Sequence, residues 1–317
     1  MRTKVMTTNY QGDSVFYTRL LSYLNRRPKN VHHLQSNVYM ISFKKDAPII
    51  LKGFDSFEKW DRQRELTSLL SQKGFEQTYQ IHQKLMPFQF KGKWYGSMDY
   101  IPPSKKKFRF SHHKDRLEGI ELLERFHDVS ENLSIKAPLF DQVRKWKERL
   151  SLFKKNISYT RQYVSDEIIN EWVRWGEWSL EGFEKNQSKW DKEKNVIIHG
   201  DCAHHNFLRR EDGSLALIDF DLMAKAPRCI DYLQYANRIS PHLDDAATML
   251  WQVPQLKKYQ KDRAFLYALA FPTDIFREWN RNNKSSSQFH SVWKMTVEGF
   301  SKRMEMNEKL ADMISKR

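Results

Sequence analysis

The chain holds only 2 cysteines, Cys202 and Cys229, in 317 residues. That is too few for a disulfide framework or a four-cysteine zinc site, so a reducing cytoplasm is the expected compartment. No run approaches the roughly 18 apolar residues that a spanning helix needs, so no membrane span is expected. The opening residues, MRTKVMTTNY, carry neither an apolar run nor a cleavage signal, and no leader is expected. Internal repeats and low-complexity blocks are missing too, which argues against solenoids and biased disordered tracts. The composition present is that of a folded chain: 40% hydrophobic and 14% aromatic residues suffice for a core. At about 100–200 residues per domain, the length allows one large domain or two lobes.

Negative charge is in short supply. Lys and Arg number 54 against 39 Asp and Glu, a balance of +15. Such an excess attracts nucleotides, nucleic acid or acidic surfaces, or is simply a solvated basic face. It identifies neither a fold nor a reaction.

Hydrophobic periodicity divides the chain. Residues 38–43 and 49–54 read as strands around a turn at 44–48, which predicts a hairpin. Between 56 and 73, Phe57, Trp60, Leu66, Leu69 and Leu70 recur at helical spacing. Residues 84–87 and 93–101 read as further strands, and Pro102-Pro103 ends the region. Residues 104–110, SKKKFRF, read as an exposed basic loop or strand. The pattern then turns helical, with stripes at Leu117, Ile120, Leu123, Phe126 and His127 and at Ile168, Trp172, Trp175 and Ser179. Phe289, Val292, Trp293, Thr296, Val297, Phe300 and Met304 predict one long terminal helix. A small mixed lobe, residues 1–102, thus precedes a larger helical lobe, residues 103–317.

One segment interrupts the helices. A short strand at 195–198 runs into HGDCAHHNFL at 199–208, Glu211-Asp212-Gly213 turns the chain, and a strand at 214–218 ends at Asp219-Phe220-Asp221. Two strand ends delivering polar residues mark a site. Phosphoryl transfer needs metal ligands on the nucleotide phosphates, a carboxylate to orient the acceptor hydroxyl, and a cation on the phosphates. Mg²⁺ takes oxygen ligands and keeps waters, so an Asp and an Asn suffice beside the phosphates. Asp201, Asn206 and Asp219 supply this set, and His-x-Asp-x-x-x-x-Asn followed by Asp-Phe-x has the spacing of a kinase catalytic loop and metal aspartate. Asp221 is either a further metal ligand or a loop carboxylate. His199, Cys202, His204 and His205 raise zinc as an alternative, but the loop spacing points Asn206 at Mg²⁺.

The segments VIIHGDCAHHNFL and LALIDFD resemble the aminoglycoside phosphotransferase and choline kinase-like superfamily. HHNFL, IDFDL and IDYLQYANRI resemble most its spore-coat-associated kinase-like proteins of endospore-forming bacteria. The resemblance implies an α+β, protein-kinase-like bilobal fold, with a small N-terminal mixed β-sheet lobe for nucleotide and a larger helical lobe for catalytic loop and metal. It implies ATP and Mg²⁺ as cofactors. Asp201 is similar to the catalytic base, His199 to the histidine that supports the loop, and Asn206 and Asp219 to the metal ligands. Lys52 is similar to the lysine on the phosphates, with Glu65 as its ion-pair partner or as one charge of a solvated helix face. Asp231 is similar to an aspartate bracing the catalytic loop, or it caps a helix starting at Tyr232. In Met98-Asp99-Tyr100-Ile101, residues Asp99, Tyr100 and Ile101 are similar to the hinge that meets adenine.

Two departures stand out. The phosphate-covering hairpin of such enzymes has glycines, whereas residues 31–39, VHHLQSNVY, have none. Ser36 and Asn37 are the side-chain donors available there. Eleven residues separate Asp219 from Asp231, too few for the activation loop of a protein kinase. The expectation is therefore a phosphotransferase acting on a hydroxyl of an unidentified small molecule. The alternative is a catalytically degenerate kinase-like protein with a structural or binding role among spore-coat proteins. A third reading, polyanion binding by residues 105–114 with aromatics stacked on bases, lacks a recognised motif, and nucleic acid is not expected as a partner. Acidic residues of the helical lobe are scattered, as at Asp244, Asp245 and Glu305, which argues against a cationic antibiotic as native acceptor.

Overall fold

The computed structural model describes residues 13–281 and 286–316; residues 1–12, read above for a leader, lie outside them. Two compact units divide the chain. The first comprises Met1–Arg109, Glu121–Pro138 and His199–Ala224, and the second Phe110–Ile120, Leu139–Ile198 and Lys225–Arg317. The chain leaves the first unit at Arg109 and returns to it in two later stretches. The second of these brings the HGDCAHHN and IDFD segments into the same unit as the N-terminal sheet.

In the first unit, β1 (Asn30–Gln35), β2 (Val38–Ser42), β3 (Ile49–Phe54), β4 (Phe88–Phe90) and β5 (Lys93–Asp99) form one sheet in the order β1-β2-β3-β5-β4. Its pairings are antiparallel. Alternation along β3 sends Ile49 and Leu51 to one face, where they join Phe16, Leu20 and Leu24 of α1 (Ser14–Leu24) in a buried cluster. Ile50 and Lys52 point to the other face. There Gly96, cross-strand from Lys52, lies under the indole of Trp60 on α2 (Phe57–Gln72). Ser56 caps α2 by accepting from the Lys59 N–H.

The hairpin and helix expected from periodicity are present. The strand expected at 84–87 is not; those residues turn, and the short strand is β4. Its hairpin to β5 closes on Lys91 and Gly92, both left-handed at φ 43° and 73°, as a two-residue turn of this hand requires. The second strand ends at Asp99 rather than at Ile101. The basic loop differs from its exposed reading in one respect: Phe108 and Phe110 are buried, at 3% and 4% exposure. Phe108 stacks on Phe207 at 4.9 Å, so these rings serve the core and are withheld from nucleic-acid bases.

The helix α3 (His113–Ser130) contributes to both units. The second unit holds α4 (Gln142–Lys155), the single turn α5 (Ile157–Thr160) and α6 (Asp166–Asn186). The strand β6 (Asn195–Ile198) pairs with β9 (Ala224–Pro227), and β7 (Phe207–Arg209) pairs with β8 (Leu215–Leu217) in the first unit. The second unit continues with α7 (Cys229–Ile239), α8 (Ala246–Met249), α9 (Pro254–Lys257), α10 (Arg263–Ala270), α11 (Thr273–Trp279), α12 (Ser286–Trp293) and α13 (Phe300–Ser315). Gly182 of α6 lies against the Tyr267 ring of α10, and Trp146 stacks on Phe271 at 4.4 Å. The terminal helix is two helices, because a π-turn over Lys294–Glu298 separates them, with Gly299 N–H bonded to the Lys294 carbonyl. Among the described residues, no helix is long and apolar enough to cross a membrane.

The contact of Gly96 with Trp60 seats α2 on the sheet. A Cβ at 96 would overlap the buried indole, so Gly96→Val is expected to cost about 1–3 kcal/mol of unfolding free energy, measured by urea denaturation.

Candidate functional site

The site grows from the end of β3. Lys52 is 12% exposed in its side chain, and its Nζ lies 2.7 Å from Asp219 Oδ1 and 2.7 Å from Asp221 Oδ1. A largely desolvated ammonium needs such partners. Burial opposes the charge on Asp219, but Lys52, by its charge and its hydrogen bond, outweighs it and holds the carboxyl below its ordinary pKa.

Glu65 does not join this pair. It is half-buried on α2, and among the described residues it forms no ion pair within 4 Å. The α2 residue that reaches the site is Gln63, two positions earlier and roughly 200° around the helix. Its Nε2 donates to Asp221 Oδ1 at 2.7 Å, and its Oε1 accepts from the Tyr79 hydroxyl at 2.9 Å. Burial, with the Asp219 and Asp221 charges behind it, pushes the Tyr79 phenol well up, so it stays a donor. Gln63 and Tyr79 escaped the sequence reading. The available signal was a buried stripe, Trp60, Gln63, Thr67 and Leu70, with polar residues on its inner face.

The loop after β6 is held by its own backbone. His199 Nε2 donates to the Ile218 carbonyl at 2.9 Å, and its Nδ1 accepts from the Asp201 N–H at 3.3 Å. The Ile218 N–H in turn donates to the Asn206 carbonyl at 2.9 Å. Both backbone groups of Ile218 are thus fixed by the loop, one residue before Asp219. The Asp201 carbonyl accepts from the Ala203 N–H and from Asn206 Nδ2, each at 2.9 Å. That bond consumes the amide nitrogen of buried Asn206 and leaves its oxygen as the side chain's acceptor. An amide oxygen is a hard-oxygen donor of the kind that suits Mg²⁺, as are the carboxylates of Asp219 and Asp221. His204 and His205 are exposed, and among the described residues no three His, Cys, Asp or Glu side chains cluster as metal ligands.

Two backbone positions around this hub are left-handed, and one of them is strained. Asp219 sits at φ 69°, a left-handed conformation that costs a non-glycine residue about 1–2 kcal/mol. Gly200, at φ 79°, lies against the Leu222 carbonyl, where a Cβ has no space. Phe220 anchors the strained turn, buried against His199, Phe126 and Tyr79 at centroid distances of 5.1, 5.4 and 6.0 Å.

The remaining sequence-predicted residues stand at several places in the two units. Ser36 and Asn37 form the β1–β2 turn, and the Asn37 carbonyl accepts from the N–H of Gly53, next to Lys52. Asp99 pairs with His82 at 2.9 Å, and its backbone N–H is bonded to the Gln80 carbonyl. Asp99, Tyr100 and Ile101 line a cavity of about 640 Å³ together with Ile49, His82 and Arg210. Lys52 and Asp219 do not line this cavity. Asp231 is fully buried in the second unit. Its helix starts at Cys229, so it stands inside the first turn and is not the cap expected before Tyr232.

Residues 119–269 match the phosphotransferase enzyme family, APH. None of the curated proteins compared matches the chain. Solved structures do. An aminoglycoside phosphotransferase from Alicyclobacillus acidocaldarius aligns at TM-score 0.71 and 16% identity, over 98% of this chain and 99% of that one. Amicoumacin kinase, solved in complex with AMP-PNP, Ca²⁺ and Ami, aligns at 0.61 and 14% identity, over 94% of each chain. A choline kinase from Streptococcus pneumoniae aligns at 0.52 and 13%, over 96% of this chain and 98% of that one. The fold is accordingly the α+β fold of aminoglycoside phosphotransferases and protein kinases, with an N-terminal antiparallel sheet and a larger helical part.

Two substitutions test the geometry. Lys52→Met removes the charge that depresses the Asp219 pKa, so the Asp219 carboxyl should titrate at higher pH, read by ¹³C NMR. Because the depressed carboxylate stabilises the fold above its unfolded pKa and loses that effect as pH falls, the same variant should flatten the acid limb of the stability profile. Gly200→Ala should destabilise by about 1–2 kcal/mol or more in urea unfolding, since a Cβ meets both a left-handed φ and the Leu222 carbonyl.

Proposed function

We propose that the chain is an ATP- and Mg²⁺-dependent phosphotransferase that acts on a hydroxyl of a small molecule, with Asp201 as its base. The observation that carries this reading is the Lys52 bridge to Asp219 and Asp221, tied through Ile218 to the loop that bears Asp201 and Asn206. In this reading Asn206, Asp219 and Asp221 hold the cation, which when bound offsets charge on the transferring phosphate. Lys52 turns from the carboxylates to the phosphates, and Gln63 keeps Asp221 in place when it does. Asp201 orients the acceptor hydroxyl and takes its proton. Its backbone is fixed on both sides, by His199 Nδ1 at its N–H and by Asn206 Nδ2 at its carbonyl.

Adenine fits the hinge of Asp99, Tyr100 and Ile101. Among the described residues, the Tyr100 and Ile101 N–H groups have no backbone partner, which leaves them to a base edge. The family match and nucleotide-bound structures of the same fold, such as spectinomycin phosphotransferase in complex with ADP, support nucleotide as the donor.

One observation favours a second reading, a catalytically silent protein of this fold with a structural role in the spore coat. The β1–β2 turn offers Ser36 and Asn37 where glycine would let backbone N–H groups approach phosphate.

A thermal-shift titration separates the two. Under the first reading, ATP with Mg²⁺ in large excess raises Tm by several degrees, because a ligand at 100-fold its Kd adds about 2.7 kcal/mol. No shift at millimolar nucleotide favours the second. With an acceptor in hand, Asp201→Asn is expected to lower turnover by about 10²–10⁴-fold while nucleotide affinity holds. Full turnover in that variant would remove Asp201 from the base role.

A further inference from the structure

Asp99, Tyr100 and Ile101 follow one another at the end of β5, yet they are held in opposite ways. Asp99 makes three bonds to the segment 80–82. Its backbone N–H donates to the Gln80 carbonyl at 2.9 Å, its Oδ2 accepts from the Gln80 N–H at 3.3 Å, and its Oδ1 lies 2.9 Å from His82 Nε2. Among the described residues, the Tyr100 and Ile101 N–H groups have no backbone partner. The chain thus passes from an anchor to an open edge within one residue.

The anchoring segment is itself held on two sides. Ile81 bridges Met98 of β5 in antiparallel register, and the His82 N–H donates to the Ser97 carbonyl at 2.9 Å. Gln80 Nε2 donates to the Thr67 carbonyl of α2 at 2.9 Å. Thr67 stands one helical turn after Gln63, which holds Asp221, so one helix braces both the hinge anchor and the outer carboxylate.

His82 is the joint of a longer chain of hydrogen bonds. Its Nδ1 lies 3.0 Å from Ser97 Oγ, which lies 2.8 Å from the Tyr23 hydroxyl of α1. The same hydroxyl accepts from the Ser97 N–H at 2.9 Å. A carboxylate only accepts, so His82 Nε2 carries the proton that it donates to Asp99. In the neutral ring Nδ1 is then the acceptor, and the Ser97 hydroxyl donates to it. Ser97 Oγ in turn accepts from Tyr23. Burial pushes the Tyr23 phenol up, which keeps this donor protonated. Each proton along Tyr23, Ser97, His82 and Asp99 points the same way, from α1 toward the hinge. The Asp99 side chain is 50% exposed. An ion pair so exposed adds only about 0–1 kcal/mol of stability, so what the chain fixes is the place of Asp99.

We propose that His82 is a positioning residue for the nucleobase: through Asp99 it fixes the hinge so that the open N–H groups of Tyr100 and Ile101 meet the edge of adenine. This role rests on the nucleotide reading and adds to it a separation of base from phosphate. Among the described residues, Lys52, Asp219 and Asp221 share no hydrogen bond with Tyr23, Ser97, His82 or Asp99. A hinge ordered before the base arrives spares the cost of ordering it on binding.

The test measures binding of ATP and of tripolyphosphate, which lacks the base, to the full chain by calorimetry with Mg²⁺ present throughout. His82→Leu is expected to weaken ATP by at least about tenfold and tripolyphosphate by less than about twofold. His82→Gln, whose amide donates to Asp99 and accepts from Ser97, should restore most of the ATP affinity. Equal loss of both ligands in His82→Leu, or no rescue by His82→Gln, would give His82 a merely structural role and overturn the proposal. Unchanged ATP affinity in His82→Leu would overturn it too, and would leave the phosphotransferase reading standing. A wild-type chain that binds neither ligand would overturn that reading and the proposal together.

Discussion

The candidate site depends on one ammonium between two carboxylates. Lys52 has little water around it, and Asp219 and Asp221 meet it at 2.7 Å each. Without a cation between them, two neighbouring carboxylates repel and each loses part of its charge to protonation. With one, that repulsion is offset, and the Asp219 carboxyl lies below its ordinary pKa. The same electrostatics would let a divalent ion take over part of the role of Lys52 and release it toward phosphate. Everything nearby serves to hold the three charges in register. Alternation along β3 chooses the face, Gly96 lets α2 approach, and the Tyr79–Gln63 pair pins the outer carboxylate by neutral hydrogen bonds. A neutral amide at position 63 has a physical consequence. It fixes Asp221 without competing for Lys52, as a glutamate there would.

The catalytic-loop candidate achieves its rigidity differently. Its ring and amide side chains are spent on backbone groups. His199 uses one ring nitrogen on Ile218 and the other on Asp201, and Asn206 spends its nitrogen on the Asp201 carbonyl. The strain at Asp219 is then borne by a turn whose entry and whose next residue, Phe220, are both locked. Strain that persists at such a point is characteristic of sites that need one orientation of a side chain.

Much of this was legible in the sequence, and the misses have physical causes. The 38–43 and 49–54 strands, the α2 helix and the two strand ends carrying Asp201 and Asp219 followed from periodicity and from the clustering of polar residues after apolar runs. Lys52 was legible because its strand was. Glu65 was named from the family resemblance and Gln63 was not considered, although helical spacing from Trp60 puts position 63, not 65, on the buried face. The β4–β5 turn was missed because Lys91 adopts a left-handed φ that its residue type does not advertise. Phe108 and Phe110 looked exposed because they alternate with lysine and arginine, yet each ring buries itself. The break in the terminal helix had no signal beyond Gly299. Cavities, which depend on how distant elements meet, left no trace in the sequence.

The most direct test of the central claim is calorimetric titration of ATP with and without Mg²⁺ into the wild-type chain and Asp219→Ala. If Lys52, Asp219 and Asp221 form a metal-nucleotide site, Mg²⁺ tightens ATP binding to the wild type by at least about tenfold, and that gain disappears in the variant. ATP binding that ignores Mg²⁺ in both proteins, or a gain that survives in Asp219→Ala, would contradict the account.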